Sequence, residues 1–484
     1  MRIFPVALFL LLPVCFNAFS IDTDNEAASS ARLSISGAVD FDIAEFVKMR
    51  NYQGMTSSPG ASATLNRIWF GHTIGILNLE SKPLGFLKMR AEFEFNQYMT
   101  TRPTIDGASP NKSFGQSYWN AFYIREGQGF FSFIDNDRML FDAALGYFPY
   151  KYNPEVRNLG EFLFRSGTYP LYLLGEFDRP FARLTGLRTG FEYHNNDLLN
   201  YKIDILALLE RTINPFNTIS LASVASVNML KIIDIGAGID FAHAIPMNSK
   251  FTMVEQDESH FISDSTVTEI IDSSTSPPTI RIFTEIEYDH YDFRGIKWMA
   301  RATIDPFGMV RENHGVLSDI LGKDGGKVYG EYAVIGTKNY PAAAHPTTNF
   351  NAYQKSGYQD VKERSPWMAG ITIPCWKVLD ICAIEIEHFP SYYADDYYTA
   401  STHGFPLPAP LQGETYDSTT FVPRWNWSLY LKKDISRNVT IIAQAARDHQ
   451  RAEKHPGAKQ FNDYGASTVK KDEWGWHLCA RFHF

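Results

Sequence analysis

Four charged side chains occupy alternate positions from Lys88 to Glu94: Lys88, Arg90, Glu92 and Glu94. That spacing puts them on one face of a β-strand, with Leu87, Met89, Ala91, Phe93 and Phe95 on the other. Four charges on one strip cannot enter a dry core unpartnered, so this face needs water or mutual pairing. The chemistry open to such a strip is electrostatic: it orders water and sorts solutes by charge and size. Arg188, Glu192, Lys202, Asp204, Lys297, Arg301, Glu385 and Glu387 sit on the polar side of similar segments. With the first four they are the candidate lining of an aqueous pore.

A second cluster lies in one long connection: Lys151, Glu155, Arg157, Glu161 and Arg165, within Pro149 to Pro170. If that loop turned inward, the cations facing Glu155 and Glu161 would set a transverse field across a constriction. On an outward loop the same charges would simply be solvated. A second loop holds Tyr392, Tyr393, Asp395, Asp396, Tyr397 and Tyr398. Those rings would stack on sugars or pack the loop against its neighbours.

Covalent and metal chemistry have little support. There is no Gly-rich phosphate loop followed by Lys, no Cys-x-x-Cys and no His-Glu-x-x-His. His477 and His483 share a strand face and would bind metal only with a ligand from the first strand. Ser401-Thr402-His403 lies among Gly and Pro, with nothing to orient a nucleophile and base. No catalytic residue, cofactor or metal is expected, and the chain does not read as an enzyme. A net charge of −9 offers no basic face for nucleic acid. Cys375 and Cys382 flank a tight turn and would either bridge or remain free thiols.

The elements that position these groups are strands. Alternation recurs at Leu33 to Ile43, Leu187 to Tyr193, Tyr201 to Leu208, Ile233 to Phe241, Ile296 to Ile304 and Trp425 to Lys432. After the first 20 residues no segment is apolar enough for a spanning helix. Short connections (Glu80 to Pro83, Asn195 to Asn200, Pro374 to Asp380, Lys433 to Asn438) alternate with long ones. The long ones are Val47 to Gly60, Met99 to Ser117, Pro149 to Asp178, Pro246 to Glu285, Lys338 to Glu363, Pro390 to Phe421 and Gln450 to Asp472. Pro306 to Gly326 breaks this rhythm and reads as a short amphipathic helix at the short-turn end. A soluble sandwich would show the same alternation, so this loop asymmetry and the two termini decide.

Met1-Arg2, the apolar run Phe4 to Phe16 and Ala18-Phe19-Ser20 read as a signal peptide over residues 1–20. A polar lead-in follows over 21–31. A lipoprotein anchor at Cys15 is disfavoured by the bulky Val14 before it. At the other end, Trp474, Trp476, Leu478, Ala480, Phe482 and Phe484 alternate with Gly475, His477, Cys479, Arg481 and His483. This ending resembles the closing strand of porin-like bacterial outer-membrane β-barrels, with Cys479 where that signal often has Gly. The resemblance marks Trp476, Leu478, Phe482 and Phe484 as an assembly signal.

The fold class expected is all-β, a single transmembrane antiparallel barrel over 32–484, with short periplasmic turns and long extracellular loops. Strict up-and-down alternation gives 16 strands if Glu285 to Ile304 is one strand. A hairpin there would require another strand in Pro246 to Pro278, giving 18. The resemblance implies an outer-membrane channel for passive diffusion of small hydrophilic solutes. Its partners would be outer-membrane lipid and lipopolysaccharide, the barrel-assembly machinery and, at this size, two further copies in a homo-trimer. A loop-plugged barrel serving as adhesin, receptor or surface-assembly subunit is the alternative.

Overall fold

The computed structural model describes residues 32–52, 63–100, 117–164, 182–195, 198–209, 218–246, 263–272, 279–288, 295–309, 321, 324–334, 361–376, 378–389, 424–447 and 474–484. The signal and lead-in expected over 1–31 lie outside these residues.

Among the described residues the strands are β1 (Arg32–Tyr52), β2 (Ala63–Leu84), β3 (Leu87–Thr100), β4 (Ser117–Asp135), β5 (Met139–Tyr150), β6 (Ala182–Asn195), β7 (Leu199–Leu209), β8 (Thr218–Met229) and β9 (Ile233–Pro246). They continue with β10 (Ser263–Asp272), β11 (Thr279–Tyr288), β12 (Gly295–Ile304), β13 (Val328–Val334), β14 (Trp367–Thr372), β15 (Ile381–Phe389), β16 (Arg424–Ser436), β17 (Val439–Ala446) and β18 (Trp474–His483). Sixteen of them close a barrel in sequence order, β18 returning to β1 and β12 pairing directly with β9. Closure leaves no sheet edge open.

The strand count of 16 stands, but for a different reason from the sequence argument. Glu285 to Ile304 is not one strand: Glu285 belongs to β11, which pairs only with β10 in a separate hairpin. A strand does form between Pro246 and Pro278, yet it lies outside the barrel, so the 18-strand alternative fails too. β11 alternates cleanly and β10 is mostly polar, and the two pair with each other. Alternation alone does not say whether a hairpin enters the wall. The connections also tighten: β1 runs to Tyr52, and the turn placed at Glu80 to Pro83 falls instead at Gly85-Phe86.

Alternation sorts the side chains by face. Phe41, Ile43, Met89, Phe95, Ile203, Ile205, Ile235, Trp298, Ile384, Ile386, Trp425 and Leu478 are exposed outside. Asp40, Glu94, Asp204, Asp240, Arg301, Glu385 and His477 are buried inside. An apolar girdle around a charged interior inverts a soluble core and suits a wall between lipid and water.

Local sequence sets the turns. Between β4 and β5 the Asn136 carboxamide oxygen accepts the N–H groups of Arg138 and Met139, a side chain mimicking a backbone turn. Between β8 and β9, Leu230 and Lys231 both take φ near +57°, and Ile232 N–H donates to Met229 O at 3.0 Å. Two successive left-handed residues make the tight bend of this three-residue connection, without the usual glycine. The barrel closes through Gly37 and Phe484, whose N–H and C=O groups exchange two hydrogen bonds of 3.0 Å.

The helix expected over Pro306 to Gly326 lies mostly outside the described residues. Gly308, Met309 and Leu321 are helical.

Candidate functional site: the lumen and its inward loop

The interior wall is a set of ion-pair networks between neighbouring strands. On β3, Lys88 pairs with Glu80 at 2.8 Å, near open solvent. Arg90 lies 3.4 Å from Glu126 and 3.8 Å from Glu92. Arg125 reaches Glu92 at 3.5 Å and also pairs with Glu94. Arg125 was missed in the sequence because β4 carries a bulge: Glu92 pairs with Glu126 and Phe93 with Ile124, so Arg125 is the extra residue. A bulge turns two successive side chains toward the same side. Arg125 and Glu126 are accordingly both buried inside.

A second network joins β5, β6 and β7. Arg188 donates to Asp204 at 2.8 Å and to Asp142 at 3.2 Å, and the Tyr150 hydroxyl donates to Asp204 at 2.9 Å. Lys202 pairs with Glu192. On β12, Lys297 and Arg301 are buried, with Arg301 2.7 Å from Asp234 of β9. Across the β1–β18 seam Arg481 grips Asp40 with two bonds of 2.8 and 2.9 Å, and His477 lies 3.4 Å from Asp42. The terminal residues Leu478, Phe482 and Phe484 are exposed outside. The Trp476 indole N–H, also outward, donates to Glu45 at 2.9 Å.

The described part of the connection after β5, residues 151–164, folds into the barrel and is tied to the far wall. The Arg157 N–H donates to Glu385 Oε1 at 2.6 Å, and those of Asn158 and Leu159 to Glu385 Oε2 at 2.9 and 3.0 Å. Gly160 N–H donates to Glu387 at 3.3 Å. The N–H groups of Glu161 and Phe162 donate to the two oxygens of Glu331 at 3.0 and 2.9 Å. The Tyr152 hydroxyl and the Asn153 carboxamide also donate to Glu331, at 2.6 and 3.0 Å. Tyr329 O–H donates to Glu385 at 2.8 Å. Glu331 and Glu385 are 3% and 1% exposed, so these donors replace water almost entirely.

The backbone is shaped for this run of donors. Gly160 and Glu161 take φ of 85° and 58°, and successive residues turned this way concentrate N–H groups. A Cβ at Gly160 would lie 3.1 Å from both Met368 and Val156. The loop's apolar side chains complete the anchorage. Val156, Leu159, Phe162 and Leu163 are fully buried in one cluster with Leu206, Leu208, Val224, Met299 and Met368 of the wall. Leu206 and Leu208 broke the polar pattern of β7 in the sequence, and this packing is the reason.

The charged loop residues find partners in several places. Lys151 donates to the loop's own Pro154 and Val156 carbonyls. Glu155 pairs with Lys327 at 3.0 Å, and Arg157 with Asp324 at 3.3 Å. Glu161 accepts the Asn153 N–H at 2.7 Å. Arg165, Tyr392 to Tyr398, Ser401 and His403 lie outside the described residues. Lys88, Arg90, Glu92, Glu94, Arg188, Glu192, Lys202, Asp204, Lys297, Arg301, Glu385 and Glu387 all project from the inward-facing register. Glu331, Arg125, Glu126, Lys327 and Asp324 join the site without having been anticipated.

No family model matches the chain, and no curated protein matches it. Among solved structures it is similar to OprB of Pseudomonas putida, at 7% identity and a TM-score of 0.40, covering 93% of this chain and 94% of that one. OmpF of Salmonella typhi, in complex with daunomycin, gives 9% identity and 0.42, covering 94% and 98%. A triple mutant of the Rhodopseudomonas blastica porin gives 6% and 0.37, covering 94% and 100%.

Proposed function

We propose that this protein is an outer-membrane channel for passive diffusion of small hydrophilic solutes, narrowed by the loop over 151–164. The observation that carries the reading is a closed wall, apolar outside and charged inside, with that loop tied across its interior. The apolar girdle supports a bilayer setting, in which the outer face would meet lipid and lipopolysaccharide. Its insertion would use the assembly machinery that reads outward C-terminal aromatics such as Phe482 and Phe484. Mixed charge along the wall favours hydrated solutes of either sign, and no cofactor or catalytic step is required. A homo-trimer belongs to the same reading.

The experiment is conductance of the purified protein in a planar bilayer, with liposome swelling by sugars of graded size. A steady conductance and a size cutoff are expected; a silent bilayer and no swelling would remove the channel. The alternative is a barrel closed by its loops and used as an adhesin, receptor or surface-assembly subunit. It is favoured by inward residues away from the loop's root, Ala44, Ile442 and Ala446, which are fully buried.

A further inference from the structure

The hairpin of β14 and β15 holds two of the three cysteines among the described residues, Cys375 in its turn and Cys382 on β15, in a part of the wall built from few residues. β14 has 6 residues and β15 has 9. The ladder continues one step past β14, where Ile373 N–H donates to Cys382 O at 2.8 Å. The chain then bends. Trp376 takes φ of 45°, Val378 N–H donates to Cys375 O at 2.9 Å, and the Cys375 thiol donates to Ile373 O at 3.1 Å. This fold-back sets the Cys375 thiol beside that of Cys382 at the root of the hairpin. Both thiols are free here, and both are half-buried or less.

We propose that Cys375 and Cys382 form a disulfide clasp in the mature protein, made by thiol–disulfide exchange with an oxidised dithiol protein. A thiolate of one cysteine attacks the donor disulfide, giving a mixed disulfide and one donor thiol. The second cysteine attacks the mixed disulfide, closing the Cys375–Cys382 bond and releasing the second donor thiol. Two electrons and two protons pass from the pair to the donor. The oxidising compartment this needs rests on the outer-membrane location proposed above. The clasp would fix the root of the hairpin that carries Glu385 and Glu387, the acceptors of the inward loop.

Burial pushes the Cys375 thiol up to about 11, so thiolate is scarce at neutral pH. Below that value each pH unit raises its thiolate fraction roughly tenfold, so clasp formation in a folded, reduced barrel accelerates as pH rises. Exchange before the hairpin closes avoids this barrier.

The test is thiol alkylation followed by intact-mass measurement on the mature chain, unfolded in denaturant with and without reductant. Cys479, buried in the β1–β18 seam, is the internal reference and alkylates only on unfolding. One alkylated thiol without reductant and three with it are expected. In Cys375→Ser the count without reductant rises to two, because Cys382 is released. Three alkylated thiols without reductant in wild-type protein from the outer-membrane fraction would overturn the clasp. Recovery from the cytosol would strike instead at the location proposed. The pair is then tested by incubating the folded barrel with oxidised glutathione, which must lower the count from three to one. A count that stays at three overturns the clasp there as well.

Discussion

The barrel has two unlike walls. From β1 to β4 the strands run 21, 22, 14 and 19 residues, and β1 pairs with β2 from Arg32 to Tyr52. From β13 to β15 they run 7, 6 and 9, and β13 meets β14 only from Val328 to Tyr332. The long wall is held by its own ladder and by cross-strand ion pairs. The short wall has little ladder, and it is the one that receives the inward loop through Glu331, Glu385 and Glu387. The loop's buried hydrogen bonds therefore concentrate where backbone pairing is least extensive, while its apolar side chains also pack on β7, β8 and β12. In the channel proposed above, a loop tied to such a wall would couple the width of the passage to the stability of the barrel.

The largest effect that would break this comparison lies on the short wall. Glu385→Ala leaves the N–H groups of Arg157, Asn158 and Leu159 without their acceptor in a buried site. A loss of about 3 kcal/mol or more is expected, at ~1–3 kcal/mol per stranded donor. The readouts are the temperature at which the folded band disappears on a gel and the single-channel conductance. Conductance should rise as the loop leaves the wall, and an unchanged trace would separate the loop from the passage. A smaller effect is expected at the loop's root. Gly146, on β5, takes φ of 134°, and a Cβ there would run into the Gly127 carbonyl. Gly146→Ala should cost about 2 kcal/mol through strain while leaving conductance steady, because the anchorage is elsewhere. The smallest belongs to the long wall. Lys88 and Glu80 are 44% and 40% exposed, and Lys88→Ala should change stability by less than ~0.5 kcal/mol. A large shift there would erase the contrast between the walls.

The strands with clean alternation were legible because one face meets an apolar surround and the other does not. Leu87 to Phe95, Leu187 to Tyr193 and Ile233 to Phe241 all sit with the expected faces outward. β4 was harder to read, since its bulge shifts the period by one residue and brings in Arg125. β14 is too short for a period to register at all. β11 alternates like a wall strand, and its pairing with β10 alone sets it apart. Glu385 and Glu387 were readable as inward carboxylates. Their work as loop acceptors was not, because the Arg157 N–H and Glu385 are 228 positions apart in the chain. Sequence spacing reports the face a side chain takes, whereas the occupant of the lumen depends on contacts made only after closure.

The ties from Arg157 to Phe162 run through main-chain amides, with one consequence for how the proposed passage could be retuned. Exchanging the side chain at 157, 158 or 159 leaves the tether's donors in place. Only proline, which has no N–H, would delete one of them. Charge at 157 can therefore vary while these main-chain moorings persist, whereas Asn158 and Leu159 also hold the loop through their side chains, one bonded to Ser428 and the other buried.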